Sequence, residues 1–170
     1  MAPPGRGEVT VGRPLPGDGP ALWRIARDAP GIDVNSPYFY VLWCRDFATT
    51  SAVARTAAGV RGYLVGFARP QAPDTLFVWQ TAVDAALRGR GLARRMLDLV
   101  ADGRFRHVEA TVAPDNHASA AWLSAFARDR RAGLVRTPLW GREDFPGADH
   151  GPEVLFRVGP LTPAGGVGAP

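Results

Sequence analysis

The chain has 170 residues, a length that suits one domain with a full hydrophobic core, and its net charge is +4. Its single cysteine excludes an internal disulfide and a cysteine-based zinc site, and no apolar run is long enough to span a membrane. All 20 basic residues are arginines, which is as typical of biased codon usage as of nucleic-acid binding. Because the first residues also lack the pattern of a signal peptide, we expect a cytoplasmic protein with no metal, no membrane contact and no nucleic-acid partner.

The first half of the chain predicts a strand, two helices and a hairpin. Residues 1–7 are rich in proline and glycine and predict a disordered N-terminus, so the domain is expected to span 8–159, with a flexible tail at 160–170. Ser36 before Pro37 predicts the N-cap of the second helix. The expected elements are a strand at 8–13, a helix carrying Leu22, Ile25, Ala26 and Ala29, an aromatic stripe of Phe39, Trp43 and Phe47, and hairpin strands at 49–56 and 60–69.

A predicted strand at Leu76–Val83 leads into a glycine-rich turn and then an amphipathic helix. The buried face of this helix is expected to carry Leu92, Met96, Leu99 and Val100. The first amides of a helix have no intrahelical partner and lie at the positive end of the helix dipole. The turn is therefore expected to hold a phosphate group. A local positive field would come from the arginines around it, which are Arg88, Arg90, Arg94 and Arg95.

Two common phosphate motifs do not fit this turn. The dinucleotide motif G-x-G-x-x-G would require a third glycine where Arg94 stands, and a P-loop requires a lysine, which the chain lacks. The pattern that fits is Q/R-x-x-G-x-G/A. It resembles motif A of the GCN5-related N-acetyltransferases (GNAT), whose turn holds the pyrophosphate of acetyl-coenzyme A (acetyl-CoA). The resemblance implies acetyl-CoA contacts at Ala82, Val83, Arg88, Gly89, Arg90, Gly91, Leu92, Ala93 and Arg94.

The second half of the chain completes an α/β (α+β) domain of this kind. A strand at His107–Ala113 follows the crossover helix and is expected to pair in parallel with the Leu76 strand. Asn116 predicts the cap of a last helix with an inner face of Ala118, Ala121, Trp122, Ala125 and Phe126. Two short strands, Leu134–Pro138 and Val154–Val158, enclose an acidic loop. We expect one GNAT-like domain with a mixed, mostly antiparallel sheet of about seven strands and about four flanking helices.

Five strings narrow the resemblance to one branch of that superfamily, the L-2,4-diaminobutyrate N-acetyltransferases of ectoine biosynthesis. They are Asp33–Tyr38, Phe77–Gln80, Arg88–Ala93, Thr111–Asn116 and His150–Glu153. The resemblance implies acetyl transfer from acetyl-CoA to the 4-amino group of the diamine, and a homodimer. It also implies that Asn116 reaches the pantetheine arm or the thiol of the cofactor.

Acyl transfer to an amine needs a neutral amine, and an alkylammonium has a pKa of about 10.4, so the site must remove a proton. We expect Asp33 and Glu153 to attract the diamine, with Glu153 as the first choice of base or proton relay. His150 would bind the substrate carboxylate or assist proton transfer. The expected substrate-binding residues are Asp33, Ser36, Tyr38, Trp79, His150 and Glu153. Plainer interpretations stay open, since Glu153 could be a rim carboxylate paired with an arginine and Trp79 could be core.

Amides near Ala82 and Val83 are suited to polarise the thioester carbonyl. At the position where this superfamily often has a tyrosine that protonates the leaving thiolate, the chain has Leu123, so Tyr38, Tyr40 or water must replace it, or the thiolate leaves unprotonated. Cys44 has no adjacent histidine and is not expected to be a nucleophile. The alternative functions are acetylation of another small amine, a peptide N-terminus or an aminoglycoside, and, in a different class, a non-catalytic module that binds acyl-CoA or nucleic acid.

Overall fold

The computed structural model describes residues 8–147 and 150–162. The predicted disordered segment 1–7 and residues 163–170 of the predicted tail lie outside the described residues. The helices are α1 (Gly19–Asp28), α2 (Pro37–Asp46), α3 (Leu92–Ala101) and α4 (His117–Asp129). The strands are β1 (Thr10–Gly12), β2 (Ala52–Thr56), β3 (Gly59–Arg69), β4 (Ala72–Val83), β5 (His107–Val112), β6 (Gly133–Trp140) and β7 (Glu153–Gly159).

One sheet contains these strands in the order β1-β2-β3-β4-β5-β7-β6. The β4–β5 pair is parallel, from Thr75 opposite His107 to Phe77 opposite Glu109, as expected for strands joined by a crossover helix. The β1–β2, β2–β3, β5–β7 and β6–β7 pairs are antiparallel. The predicted fold class, a mixed and mostly antiparallel sheet with four helices, is confirmed.

The chain divides into two compact units, the first comprising residues 8–67 and 80–100. Its core brings α1 and α2 together with β2, β3 and the end of β4, through Leu22, Tyr40, Tyr63 and Ala82 among others. The predicted aromatic stripe on α2 exists, because Trp43 stacks between Phe39 and Phe47 at ring distances of 4.3 and 4.5 Å. Ser36 is the N-cap residue of α2, but its side chain makes no capping hydrogen bond.

The second unit comprises residues 68–79 and 101–162. In it α4 packs against β6 and β7. Along β7, residues Glu153, Leu155 and Arg157 alternate on one face of the sheet, and the register places Arg157 opposite Glu109 of β5. Leu161, just beyond the predicted domain boundary, donates its amide to the carbonyl of Arg106 (2.7 Å). The boundary itself stays a prediction.

Three local predictions were wrong. The strand predicted at Leu76–Val83 begins at Ala72, because the turn after β3 is confined to Pro70 and Gln71. The buried face of α3 includes Leu97, and Leu99, which was predicted to be buried, is 39% exposed.

The third error concerns α4. The predicted inner face included Ala118 and Ala121, which are exposed, whereas Leu123, Phe126 and Ala127 are buried. Burial of the larger side chains removes more apolar area from water and sets the rotation of the helix.

None of the helices in the described part of the chain combines the length and the apolar character needed to cross a membrane. Within residues 8–147 and 150–162 no three His, Cys, Asp or Glu side chains converge as metal ligands would.

Candidate active site

The glycine turn before α3 has the geometry of an anion site built from main-chain amides. Gly89 and Gly91 have positive φ angles of 74° and 68°, a conformation that side chains with a Cβ rarely adopt. The first backbone hydrogen bond of α3 runs from Arg95 N to Gly91 O (3.0 Å), so Leu92 and Ala93 lie in the first turn, where amides have no intrahelical acceptor. The turn from Arg88 to Gly91 is exposed.

The arginines around this turn are more engaged than the sequence suggests. Arg88 donates from Nε to the carbonyl of Val83 (3.1 Å). Arg94 forms an ion pair with Asp98 one turn along α3 (2.8 Å), and Arg95 donates to the carbonyl of Val9 (3.1 Å). Of these three arginines, Arg94 therefore has a paired charge, whereas Arg88 and Arg95 keep their charge and use part of their donor capacity on main-chain carbonyls.

The loop between α1 and α2 presents three of the predicted substrate residues to solvent. Asp33, Ser36 and Tyr38 are all exposed, Tyr38 by 71%. The main chain of this loop is held from below, since the carbonyl of Asp33 accepts a hydrogen bond from Nε2 of Gln80 (2.8 Å). The sequence analysis did not predict this role for Gln80. The signal was present only as a polar residue inside an otherwise apolar strand.

Glu153 and His150 lie together at the start of β7. The His150 Nε2 and Glu153 Oε1 atoms are 3.9 Å apart, and the Glu153 side chain is only 16% exposed. Burial raises the pKa of Glu153, while His150 and a hydrogen bond from Thr111 oppose the shift. The His150 ring is stacked on Phe145 (3.9 Å between centroids), and its Nδ1 lies 2.8 Å from the carbonyl of Gly151. Since that carbonyl only accepts, Nδ1 carries a proton and Nε2 faces Glu153.

The sequence analysis missed the buried carboxylate of Glu109. Its side chain is 2% exposed and forms ion pairs with Arg69 (2.8 Å) and Arg157. The residue belongs to β5, whose alternating pattern gave no sign that a charged side chain would be enclosed. The two arginines come from β3 and β7, and only strand pairing brings them to the same carboxylate.

The other predicted site residues lie on β4 and at the start of α4. Trp79 is 49% exposed, which does not fit the core interpretation. Asn116 caps α4, accepting a hydrogen bond from Ser119 N (3.1 Å). Ala82 is buried and Val83 is half-buried at the end of β4.

Leu123 stands where the superfamily often has the tyrosine that protonates the leaving thiolate, and Tyr40 was one of the groups expected to replace that tyrosine. Leu123 has no exposed surface, and neither does Tyr40. The Tyr40 hydroxyl donates its proton to Oε1 of Gln80 (3.0 Å) in this conformation. Burial raises the pKa of Cys44 to about 11, which agrees with the expectation that it is not a nucleophile.

Three buried polar atoms were not foreseen. Among the described residues no hydrogen-bond partner is found for the Thr81 hydroxyl on β4, Nδ1 of His107 on β5 or the Trp122 indole nitrogen on α4. Such atoms are uncommon in folded proteins, and each is suited to contact a ligand or a water molecule.

The fold and the turn together define a nucleotide-dependent acyltransferase. The sequence profile of the Acetyltransferase (GNAT) family matches residues 20–126, which is more than half of the chain. The chain belongs to the GNAT acetyltransferase family.

Two curated relatives and one solved structure carry the name of a diaminobutyrate acetyltransferase. An L-2,4-diaminobutyric acid acetyltransferase of Streptomyces coelicolor is 49% identical over 164 residues, covering 93% of this chain and 96% of the relative. One from Streptomyces avermitilis is 49% identical over 160 residues, covering 91% of this chain and 89% of the relative. A solved diaminobutyrate acetyltransferase of Paenibacillus lautus, in complex with its substrate L-2,4-diaminobutyric acid and coenzyme A, superposes with a TM-score of 0.86 at 36% identity, covering 92% of this chain and 97% of that one. Within the GNAT family the chain lies in this branch.

Proposed function

We propose that this protein transfers the acetyl group of acetyl-CoA to the 4-amino group of L-2,4-diaminobutyrate, a step in ectoine biosynthesis. The amine nitrogen attacks the thioester carbonyl directly in a ternary complex. A C–N bond forms and the C–S bond breaks. The ammonium nitrogen loses one proton to a base before it attacks and a second after attack, as the amide forms. The second proton is balanced by the one that the leaving thiolate takes up from Tyr38 or water, or goes to solvent where the coenzyme departs as the thiolate. The high identity of relatives that carry this name supports the proposal.

The turn before α3 fits acetyl-CoA, the acyl donor. Apart from the glycine and its immediate chain neighbours, no heavy atom of the described residues lies within 4 Å of the point where a Cβ would stand on Gly89 or Gly91, so this turn is open to a ligand. We propose that the amides from Gly89 to Arg94, with the Arg88 and Arg90 side chains at its edge, hold the diphosphate. Ala82 and Val83 would polarise the thioester carbonyl, and Asn116 would contact the pantetheine arm.

Glu153 carries the catalytic proposal. In the part of the chain that the structure describes, its only ion-pair partner is His150, so no arginine holds it in the ionised form. A shielded carboxylate with a raised pKa accepts a proton more readily than an ordinary glutamate. We assign Glu153 as the base or relay for the ammonium proton and His150 as its partner and as a contact for the substrate carboxylate.

The diamine itself is a cation at both amino groups when it arrives. The Asp33 carboxylate on the exposed loop is suited to attract it, and Ser36, Tyr38 and Trp79 provide hydroxyl, phenol and indole surfaces for it. These assignments rest on exposure and residue chemistry.

Product analysis tests the function. Purified protein is incubated with acetyl-CoA and L-2,4-diaminobutyrate, free thiol is followed, and the product is fragmented in a mass spectrometer to locate the acetyl group. We expect one acetyl group on N4 and slower turnover with 2,3-diaminopropionate, ornithine, an aminoglycoside or a peptide N-terminus. Equal rates on unrelated amines would reject the narrow assignment, and acetylation of N2 would reject the regiochemistry.

We also propose a homodimer in the cytoplasm. The dimer is supported by β6, an edge strand on which Val135, Leu139 and Trp140 are 60%, 40% and 43% exposed. The location is supported by the single, unpaired cysteine and by dependence on coenzyme A. Light scattering of the purified protein measures its mass, and a value of about 18 kDa, the mass of one chain, would contradict the dimer.

A further inference from the structure

Gln80 lies at the centre of a small hydrogen-bond network beneath the loop that carries Asp33. Its Oε1 atom accepts from the hydroxyls of Tyr63 (2.5 Å) and Tyr40 (3.0 Å), and its Nε2 atom donates to the main-chain carbonyl of Asp33 (2.8 Å). The Tyr40 hydroxyl also lies 3.3 Å from the amide of Asn35 and accepts from it. Two hydrogen bonds therefore join the loop to this network.

The direction of every bond in this network follows from one fact. The Asp33 carbonyl can only accept, so the Gln80 amide must present its NH₂ group to the loop and its oxygen to the two tyrosines. Each tyrosine must then donate its single proton to that oxygen. Having donated, Tyr40 has only lone pairs left, and these are what the Asn35 amide requires.

Burial makes this arrangement costly to disturb. Tyr40 and Tyr63 have no exposed surface, so neither can exchange its partner for water. Burial also raises the pKa of Tyr63 far above its ordinary value, which keeps the phenol protonated and a donor. By contrast the residues that the network holds, 33–36, belong to no helix or strand and are largely exposed.

We infer that Gln80 is a positioning residue that sets the main chain of the Asp33 loop, and with it the diamine-binding groups, by using both ends of its amide. Glutamine meets this requirement because it combines a donor for a carbonyl with an acceptor for two hydroxyls at the same reach. A glutamate at this position would still accept from both tyrosines but would turn a carboxylate oxygen toward the Asp33 carbonyl. The inference rests on the proposed function, in which Asp33 contacts the diamine.

The first test is Gln80→Glu, with Gln71→Glu as the matched control. Gln71, in the exposed turn before β4, undergoes the same chemical change. We expect Gln80→Glu to raise the KM for diaminobutyrate by about 10-fold or more while the KM for acetyl-CoA stays within about twofold, because the donor to the Asp33 carbonyl is lost and a repulsion is added. Gln71→Glu is expected to change neither. A normal diamine KM in Gln80→Glu overturns the inference.

The second test separates positioning from stability and does not require Gln80 to be changed. Tyr40→Phe and Tyr63→Phe each remove one buried hydroxyl that donates to Oε1 of Gln80, but only the Tyr40 hydroxyl also holds the Asn35 amide. We expect both variants to lower the melting temperature, and Tyr40→Phe to raise the diamine KM about threefold more than Tyr63→Phe does. Equal KM values in the two variants would mean that the network acts only through stability.

Hydrogen–deuterium exchange gives a readout that does not depend on the substrate. Peptides covering residues 31–38 should exchange faster in Gln80→Glu and Tyr40→Phe than in the wild type or Gln71→Glu. Unchanged exchange would refute the role of Gln80 and Tyr40 in holding the main chain of this loop, whatever amine the protein acetylates. A wild type that does not acetylate diaminobutyrate refutes the proposed function instead, so the two failures are distinguishable.

Discussion

Glu109 in β5 and Glu153 at the start of β7 lie on the same face of the sheet, and both are largely shielded from water, with side chains 2% and 16% exposed. Glu109 is held by Arg69 and Arg157, whereas Glu153 has a histidine and a threonine hydroxyl. The two guanidinium groups hold the Glu109 carboxylate in a pair of ion pairs from neighbouring strands. At Glu153 burial raises the pKa, and the histidine and the threonine hydroxyl oppose this shift only in part. The two carboxylates therefore differ in their partners, and the proposed catalytic role belongs to the one without an arginine.

The largest effect on activity is expected from Glu153→Gln, which removes the carboxylate proposed as the base. We expect kcat/KM for the diamine to fall by about 10² to 10⁴, the usual contribution of a general base, with the KM for acetyl-CoA unchanged. Steady-state kinetics with both substrates measures this. The exposed Glu143→Gln in the loop before β7 is the control and should keep wild-type rates. A decrease in kcat/KM of less than 10-fold would mean that Glu153 is not the base.

The reciprocal change is Glu109→Ala, which should act on stability. Removing the carboxylate leaves two guanidinium groups facing each other, and the free energy of unfolding should fall by roughly 2 kcal/mol, less than for a fully buried pair because the arginines are 38% and 37% exposed. Urea unfolding measures it as a lower midpoint at constant slope. Asp28→Ala, which breaks the exposed pair of Asp28 with Arg27, should cost well under about 1 kcal/mol. Equal losses in the two variants would contradict the structural role of Glu109.

A pH series sharpens the contrast further. The folded-state pKa of Glu153 is raised above its ordinary value of 4.5, so the folded protein holds a proton that the unfolded chain releases, and stability falls as the pH rises through this window. Above the window Glu153→Gln should be more stable than the wild type, and the difference should vanish below the ordinary pKa. Thermal unfolding of both proteins between pH 4 and pH 8 checks the sign. A wild type that is the more stable of the two at neutral pH would contradict the raised pKa.

The smallest effect is expected from His150→Gln. A protonated His150 lowers the pKa of Glu153, so its removal should move the acidic limb of the rate profile to higher pH, by less than about one unit at this distance and exposure. The dependence of kcat/KM on pH, measured at saturating acetyl-CoA, reports the limb. An unchanged limb, or a shift toward lower pH, would mean that His150 does not lower the pKa of Glu153.

Much of the fold and one half of the candidate site were predictable because they depend on neighbours in sequence. The glycine turn, the parallel β4–β5 pair and the Asn116 cap each follow from residues within a few positions of one another, and the structure contains all three. The errors in α3 and α4 have a common cause. An apolar pattern predicts that a helix is buried on one side, but the rotation that buries Leu97 or Leu123 depends on the surface it packs against.

The main-chain part of the candidate site could be predicted from the sequence, because positive-φ glycines and the open amides of a helix start are local properties of Gly89, Gly91 and the residues that follow. The side-chain part could not be predicted in this way, because it depends on residues far apart in the chain. Glu109 and its arginines come from three strands, and Gln80 meets Asp33, Tyr40 and Tyr63 from three other parts of the chain. A side chain's charge state and hydrogen bonds depend on whichever groups the fold brings within about 3 Å, and strand register, which no local pattern encodes, decides which groups those are.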